Sequence, residues 1–228
     1  MNTAKPLIFV TGTDTEIGKT FVSRSIIRAL VANNKRVAGL KPIASDAQRV
    51  QGVLQNEDAL ELQKASNLKL SYEQVNPICF EPAIAPHIAA DLVGQQLNGD
   101  VLTANLEVPE EADCVIIEGA GGWLTPLNQQ ETYADWVESQ GFEVILVVGM
   151  KLGCLNHAML TVRDIERRGL KLVGWVANFS QGEMNKAEDN LHWLKQNIPA
   201  PCLGIVPLQE SPDCADKVAE LLDISALT

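Results

Sequence analysis

The chain reads as an α/β protein, a mostly parallel β-sheet with helices on both faces. Three observations predict it. Apolar runs rich in β-branched residues alternate with helical patterns along the length. Several runs are apolar throughout, as in Val144-Ile-Leu-Val-Val148, which suits strands buried on both faces. The first run, Leu7-Ile8-Phe9-Val10, passes through a glycine-punctuated loop directly into a helical pattern.

In chain order, strands are expected at 7–11, 36–40, 114–118, 143–149, 172–177 and 202–206, with a short one near 76–80. Helices are expected at 19–33, 57–66, 86–95, 132–140, 155–168, 184–197 and 213–222. Within 155–168, Leu155, Ala158, Met159, Val162 and Ile165 keep the i, i+3, i+4, i+7 spacing of one buried face. The 98–109 stretch is the least patterned and reads as a surface connection. No repeat, low-complexity tract or linker interrupts the pattern, so residues 1–228 are expected to form a single domain.

Composition narrows the function. With 228 residues, 46% hydrophobic, the chain can bury a large core. A net charge of −11 argues against nucleic acid as a partner, and no basic amphipathic anchor or bilayer-long apolar stretch argues for a membrane. Cys79, Cys114, Cys154, Cys202 and Cys214 are scattered, with no metal-ligand spacing; they read as reduced thiols of a cytoplasmic protein. The first strand begins almost at once, leaving no room for a signal sequence.

The chemistry is expected at the carboxyl ends of the strands. Gly12-Thr-Asp-Thr-Glu-Ile-Gly18-Lys19-Thr20 between strand and helix is a phosphate cradle. Gly18 lets the backbone turn close to a ligand, amides and helix dipole face an anion, and Lys19 adds a cation for β/γ-phosphates. The Thr20 hydroxyl can hold Mg2+. Five residues separate Gly12 from Gly18 where the common P-loop has four. A chance Gly-Lys-Thr at a helix start is the alternative; the flanking strand and helix favour a P-loop NTPase-like domain that binds a nucleoside triphosphate.

Lys41, at the end of strand 36–40 and stiffened by Pro42, can reach phosphoryl oxygens; by itself it would read as an exposed lysine. Glu118, closing the apolar strand 114–118 before Gly119-Ala120-Gly121-Gly122, has the Walker-B placement of a Mg2+-holding carboxylate rather than of a solvated turn residue. Asp58 opens a helix, where a dipole-favoured acid is also ordinary; physics does not separate it from Glu57 as a ligand. The loop from Lys151 through Gly153 to Asn156 reads equally as a second anion site and as a plain strand-to-helix turn. His87 and His157 lack partner spacing and read as structural.

Together these segments resemble the dethiobiotin synthetases, a family of biotin biosynthesis. The matching stretches are Val10–Thr20, Gly39-Leu-Lys-Pro-Ile-Ala-Ser45, Asn56-Glu-Asp-Ala-Leu60, Glu118-Gly-Ala-Gly-Gly-Trp123, Val147–His157 and Gly174-Trp-Val-Ala-Asn178. The lengthened Gly12–Gly18 spacing is the family's own form. The resemblance implies an ATP- and Mg2+-dependent ligase that carboxylates 7,8-diaminononanoate with CO2 and closes it to dethiobiotin, through a carbamate and a carbamic–phosphoric anhydride. It implies Lys19 and Lys41 as the catalytic cations, and Thr20, Asp58 and Glu118 as Mg2+ ligands. Glu16, Ile17, Gly18, Phe21, Gly119, Ala120 and Gly121 would line the nucleotide, with Asn178, Phe179, Pro207, Leu208, Gln209 and Glu210 around the base and ribose. Thr15 and Ser45 would meet the carbamate or amines. Gly153, Cys154, Leu155 and Asn156 of one subunit of a homodimer would bind the substrate carboxylate of the other.

Three other readings compete. A dimeric ATP-dependent switch of the partitioning type would carry a lysine at Thr13 and often a basic tail, both missing here. A regulatory relative would have lost charges that Lys19, Lys41, Asp58 and Glu118 retain. An amidoligase of the cobalamin-type branch would add a glutamine-hydrolysing domain.

Overall fold

The computed structural model describes residues 5–182, 184–208 and 214–227. In chain order β1 (Leu7–Gly12), α1 (Lys19–Ala32) and β2 (Val37–Leu40) are followed by a short β3 (Ile43–Ala44) and a hairpin, β4 (Gln48–Val50) and β5 (Val53–Gln55). Next come α2 (Glu57–Ala65), α3 (Tyr72–Val75), β6 (Ile78–Cys79), α4 (Pro86–Leu92), α5 (Gly99–Asn105) and β7 (Cys114–Glu118). Then α6 (Tyr133–Gln140), β8 (Glu143–Gly149), α7 (Cys154–Arg167), β9 (Leu172–Asn178), α8 (Ala187–Asn197), β10 (Cys202–Val206) and α9 (Ala215–Ala219) lead to a 3-10 turn, Ser225–Leu227.

Six strands form one parallel sheet in the order β10-β9-β8-β1-β7-β2. The expected fold class is the one observed. β1 lies between β7 and β8, with Val10 beside Glu118 and Gly12 beside Val147. Because all six strands run the same way, the P-loop, Lys41 and Glu118 emerge on one edge.

Alternation along each strand divides the core. Ile8, Val10, Ile116, Ile145 and Val147 face one side, where Ile26, Ile27 and Leu30 of α1 and Val218 of α9 pack. Leu146 and Val148 face the other, against Ala158 and Val162 of α7 and Leu194 of α8. On that same side Phe9 and Ile117 meet an aromatic cluster. Ring centroids there lie 5.6 Å apart for Phe9–Tyr133 and 5.3 Å for Trp136–Phe142. A Cβ on Gly119 would come within 2.6 Å of the Phe9 ring, so the glycine after Glu118 is required by packing.

Departures from expectation are local. The 98–109 stretch contains α5, capped by Asn98, whose side chain accepts from the Val101 amide at 2.8 Å. It was unpatterned because only Leu102 of the helix is buried. The β4–β5 hairpin buries no residue fully, leaves Val50 and Val53 exposed, and turns on Gln51 and Gly52, both at positive φ. α3 is a single turn, too short for periodicity. The last helix spans Ala215–Ala219 within the expected 213–222. No helix among the described residues is long and apolar enough to cross a membrane.

One charged cluster ties α6, α7 and the loop after β7 together. Arg168 bonds Asp164, Asp135 and Glu138 at 2.7, 2.8 and 2.6 Å, and Trp123 Nε1 donates to Asp164 at 2.8 Å. Burial works against the Asp164 charge, but hydrogen bonds from Arg168, Arg167 and Trp123 outweigh it and bring its pKa down to about 2. A carboxylate depressed on folding stabilises fully above its unfolded value of about 3.9 and loses that contribution as pH falls toward the folded value. Asp164→Asn is expected to cost about 1–3 kcal/mol at pH 7 and to flatten the loss of stability between about pH 4 and pH 2. Urea midpoints measured against pH check both; an unchanged acid limb would contradict the assignment.

Candidate functional site

The cleft is built around a buried charge. Glu118 ends a strand flanked on both sides, and its side chain is 0% exposed. An unpaired carboxylate there would cost several kcal/mol. The neighbouring strand supplies the remedy: Lys41, just past β2 and 4% exposed, sets Nζ 2.7 Å from Glu118 Oε1. The same ammonium lies 3.0 Å from Asp58 Oδ2, and the Thr20 hydroxyl donates to Glu118 Oε1 at 2.7 Å. Burial opposes the charge on Lys41, but Glu118 and Asp58 outweigh it and hold its pKa above that of an ordinary lysine. Burial likewise opposes the Asp58 charge, and Lys41 reverses the effect, so its pKa lies below the usual carboxylate value.

The P-loop is held at several points. Gly18 adopts the left-handed conformation, φ 77°, and a Cβ there would collide with the Asn178 amide. Asn178 Nδ2 donates to the Ile17 carbonyl at 2.6 Å, fastening the loop to the end of β9. Thr13 bonds β8 twice, its amide to Val147 O at 3.0 Å and its hydroxyl from the Gly149 amide at 3.2 Å. Lys151 pairs with Asp14 at 2.7 Å. The Lys151 ammonium and the Thr15 amide, both bonded to Asp14, lower the carboxyl's pKa. Lys19 is 7% exposed, and its described hydrogen bond is a long one, 3.4 Å, to Asp14 O. Burial pulls its pKa below the ordinary lysine value, against Glu118. It is a desolvated cation with little to hold.

An open cleft of about 710 Å³ joins these groups. Thr15, Glu16, Gly18, Lys19, Thr20, Lys41, Ser45, Asp58, Glu118, Ala120 and Gly121 line it, as the sequence placed them near one another. Ile17, Phe21 and Gly119 do not line it: Ile17 and Gly119 are buried, and Phe21 packs against the core cluster that includes Ile26 and Leu30 of α1. Asn178 and Phe179 sit at the end of β9, with the Phe179 amide bonded to Val206 O at 2.9 Å, next to Pro207 and Leu208 beyond β10. Gln209 and Glu210 lie outside the described residues. Gly153, Cys154, Leu155 and Asn156 open α7 and do not line this chain's cleft.

Several lining residues were not anticipated. Asp46, at positive φ, and Ala83 to Pro86 also line the cleft, as do Thr125 and Pro126 after the glycines. Only Pro86, a helix-start signal, could have drawn notice. The donor set of Thr20, Asp58 and Glu118 is all oxygen, which suits a hard divalent cation such as Mg2+. Glu118 Oε2, buried and without a hydrogen-bond partner among the described residues, leaves an acceptor to spare.

Comparison with known proteins identifies the family. The family model described as an AAA domain matches residues 7–214. The ATP-dependent dethiobiotin synthetase BioD of Cellvibrio japonicus is 46% identical over 225 residues, 98% of each chain. BioD 1 of Escherichia coli K12, of the same description, is 47% identical over 209 residues, 91% of this chain and 93% of that one. Among solved structures, the cell division protein FtsY of Thermotoga maritima aligns with 100% of this chain and 70% of its own, at 15% identity and a TM-score of 0.49. Identity of this order over nearly the whole length leaves one conclusion: the chain belongs to the ATP-dependent dethiobiotin synthetases, ligases that form a C–N bond.

Proposed function

We propose that this chain carboxylates 7,8-diaminononanoate with CO2 and closes the ring to dethiobiotin, consuming ATP and requiring Mg2+. The observation that carries the reading is Lys41, held 2.7 Å from Glu118 and 3.0 Å from Asp58 in the same cleft as Lys19 and Thr20. Phosphoryl transfer between two anions is chiefly a matter of placement and charge neutralisation, and this cleft supplies both.

One substrate amine, as its carbamate, would place an oxygen in line with the γ-phosphorus of ATP; the new O–P bond forms as ADP leaves. The second amine would then attack the carbamoyl carbon, losing its proton and expelling phosphate. Lys19 and Lys41 would bracket the two anions, which otherwise repel. Thr20, Asp58 and Glu118 would hold Mg2+, which when bound neutralises β- and γ-phosphate oxygens. Thr15 and Ser45 would orient the carbamate and amine; the Ser45 hydroxyl is buried, lines the cleft and has no partner among the described residues. Asn178, Phe179, Pro207 and Leu208, with Gln209 and Glu210, would flank the base.

We further propose a homodimer whose Gly153–Asn156 segments complete each other's sites. Leu152, beside that segment, is 95% exposed, and Leu124 and Leu160 are exposed as well, as expected of a surface that a second copy covers. The chain is read as one domain and placed in the cytoplasm, which the five unpaired cysteines favour.

The test is incubation of purified protein with 7,8-diaminononanoate, bicarbonate, Mg2+ and ATP, with product followed by mass spectrometry and phosphate release in parallel. Dethiobiotin is expected from the wild type, and from Lys41→Ala a rate lower by about 10²-fold or more. Nucleotide binding without diamine-dependent turnover would sink the proposal. Asp58→Asn is expected to raise the Mg2+ concentration for half-maximal rate while leaving the fold intact, since Asp58 is half-exposed.

Stability gives an independent check on the charge arrangement. Lys41→Met leaves Glu118 buried without its cation and is expected to destabilise by about 3–5 kcal/mol, most of which Lys41→Met with Glu118→Gln recovers. Urea unfolding of the two variants decides it; equal stabilities would contradict the pairing.

A further inference from the structure

Behind the cleft, five residues, Lys41, Asn76, Tyr72, Asn56 and Asp58, close a ring through hydrogen bonds and the start of α2, and the reaction itself accounts for only Lys41 and Asp58. Lys41 donates its amide to Val75 O at 2.8 Å, and its carbonyl accepts from Asn76 Nδ2 at 2.6 Å. Asn76 Oδ1 accepts from the Tyr72 hydroxyl at 2.8 Å. That hydroxyl in turn accepts from the Asn56 amide at 2.8 Å. Asn56 caps α2 through the Ala59 amide at 3.2 Å, which sets Asp58 in the first turn, and Asp58 returns to Lys41 Nζ at 3.0 Å. A branch leaves the ring where Asn56 Nδ2 donates to Ser45 O at 2.9 Å.

Asn76 and Asn56 are both buried, and neither they nor Tyr72 line the cleft. Buried polar groups of this kind are costly unless every member is satisfied, and satisfied networks rigidify what they join. This one joins the backbone of Lys41, the helix that carries Asp58 and the carbonyl of Ser45. A short α3, with its own capping box at Ser71 and Gln74, presents Tyr72 and Asn76 to the ring. We infer that Tyr72 and Asn76 are positioning residues, which set the Lys41 ammonium and Asp58 in register for phosphoryl transfer without touching substrate. Tyr72 is the hinge of the arrangement, because its one hydroxyl both donates and accepts.

The kinetic half of this inference rests on the ligase reading, so the first test does not use it. Limiting acetic anhydride labels lysine amines, and peptide mass spectrometry reads Lys41 and Lys19 separately. In Tyr72→Phe, labelling of Lys41 is expected to rise roughly fivefold as the ring opens locally, while Lys19, outside it, stays as in the wild type. Asn76→Ser should do the same, and if it fails to fold, Tyr72→Phe, which loses a hydroxyl alone, carries the test. Unchanged Lys41 labelling, or a parallel rise at Lys19 from general loosening, overturns the inference. In the dethiobiotin assay, kcat of Tyr72→Phe is expected to fall about tenfold with the KM for ATP within about twofold, since the P-loop is not in the ring. Loss of ATP affinity in step with kcat, or an unchanged kcat, overturns the positioning role. A wild type that makes no dethiobiotin refutes the ligase reading instead, and the labelling alone then decides the ring.

Discussion

A carboxylate at the end of a fully buried central strand is the constraint on which this site depends. Glu118 has strands on both sides, Phe9 behind Gly119 and no water-facing surface. The desolvation penalty of such a group is several kcal/mol even after relaxation. It is met by a cation from the end of β2 and a hydroxyl from the first turn of α1. Three segments far apart in sequence are therefore pinned to one oxygen. The position of Lys41 is an electrostatic requirement of the fold before it is a requirement of any reaction.

The parallel sheet converts that local demand into a cleft. Parallel strands cannot be joined by tight turns, so each carboxyl end releases a loop on the same edge. The loop after β1 is drawn across this edge by bonds to β8 and β9, through Thr13, Lys151 and Asn178. Gly18 permits the turn under Asn178, and α1 begins at the next residue with its free amides facing the opening. Rigidity of the loop thus comes from its neighbours rather than from its own sequence, which is rich in small polar residues.

What could be read from sequence follows the range of the interactions. The six sheet strands were legible because each carries an apolar run, several of them continuous, and Glu118 because an acid closing such a run is unusual. Lys41 was legible only through its adjacency to a phosphate loop. The choice between Glu57 and Asp58 was not, because it turns on the Asn56 cap: Glu57 comes out exposed and Asp58 faces Lys41. Tyr72 and Asn76 left no trace either. Their partners are the backbone groups of Asn56 and Lys41, 16 and 35 residues away, and backbone acceptors have no sequence signature. The hairpin at 48–55 and the short α5 were missed for want of buried apolar residues, which are the signal that periodicity detects.

The charges in the cleft bear on what it could bind. Lys19 and Lys41 line the cleft together with Glu16, Asp46, Asp58 and Glu118, two cations against four carboxylates, and Lys151 with Asp14 beside it is a balanced pair. A lining with that excess of carboxylates does not by itself attract a free polyanion. The first-turn amides of α1 favour phosphate, but the carboxylates lining the cleft oppose it. On the proposed function, an anion arriving with its own dication would remove that conflict, since the cation would satisfy Asp58 and Glu118 and free Lys41 to turn toward the transferred group. Lys19, buried with one long contact, would gain from the anion at once; Lys41, held by two carboxylates, would gain only when another cation took its place beside them. On the proposed function, the metal requirement would arise from this competition for Glu118 as much as from the chemistry of the phosphates.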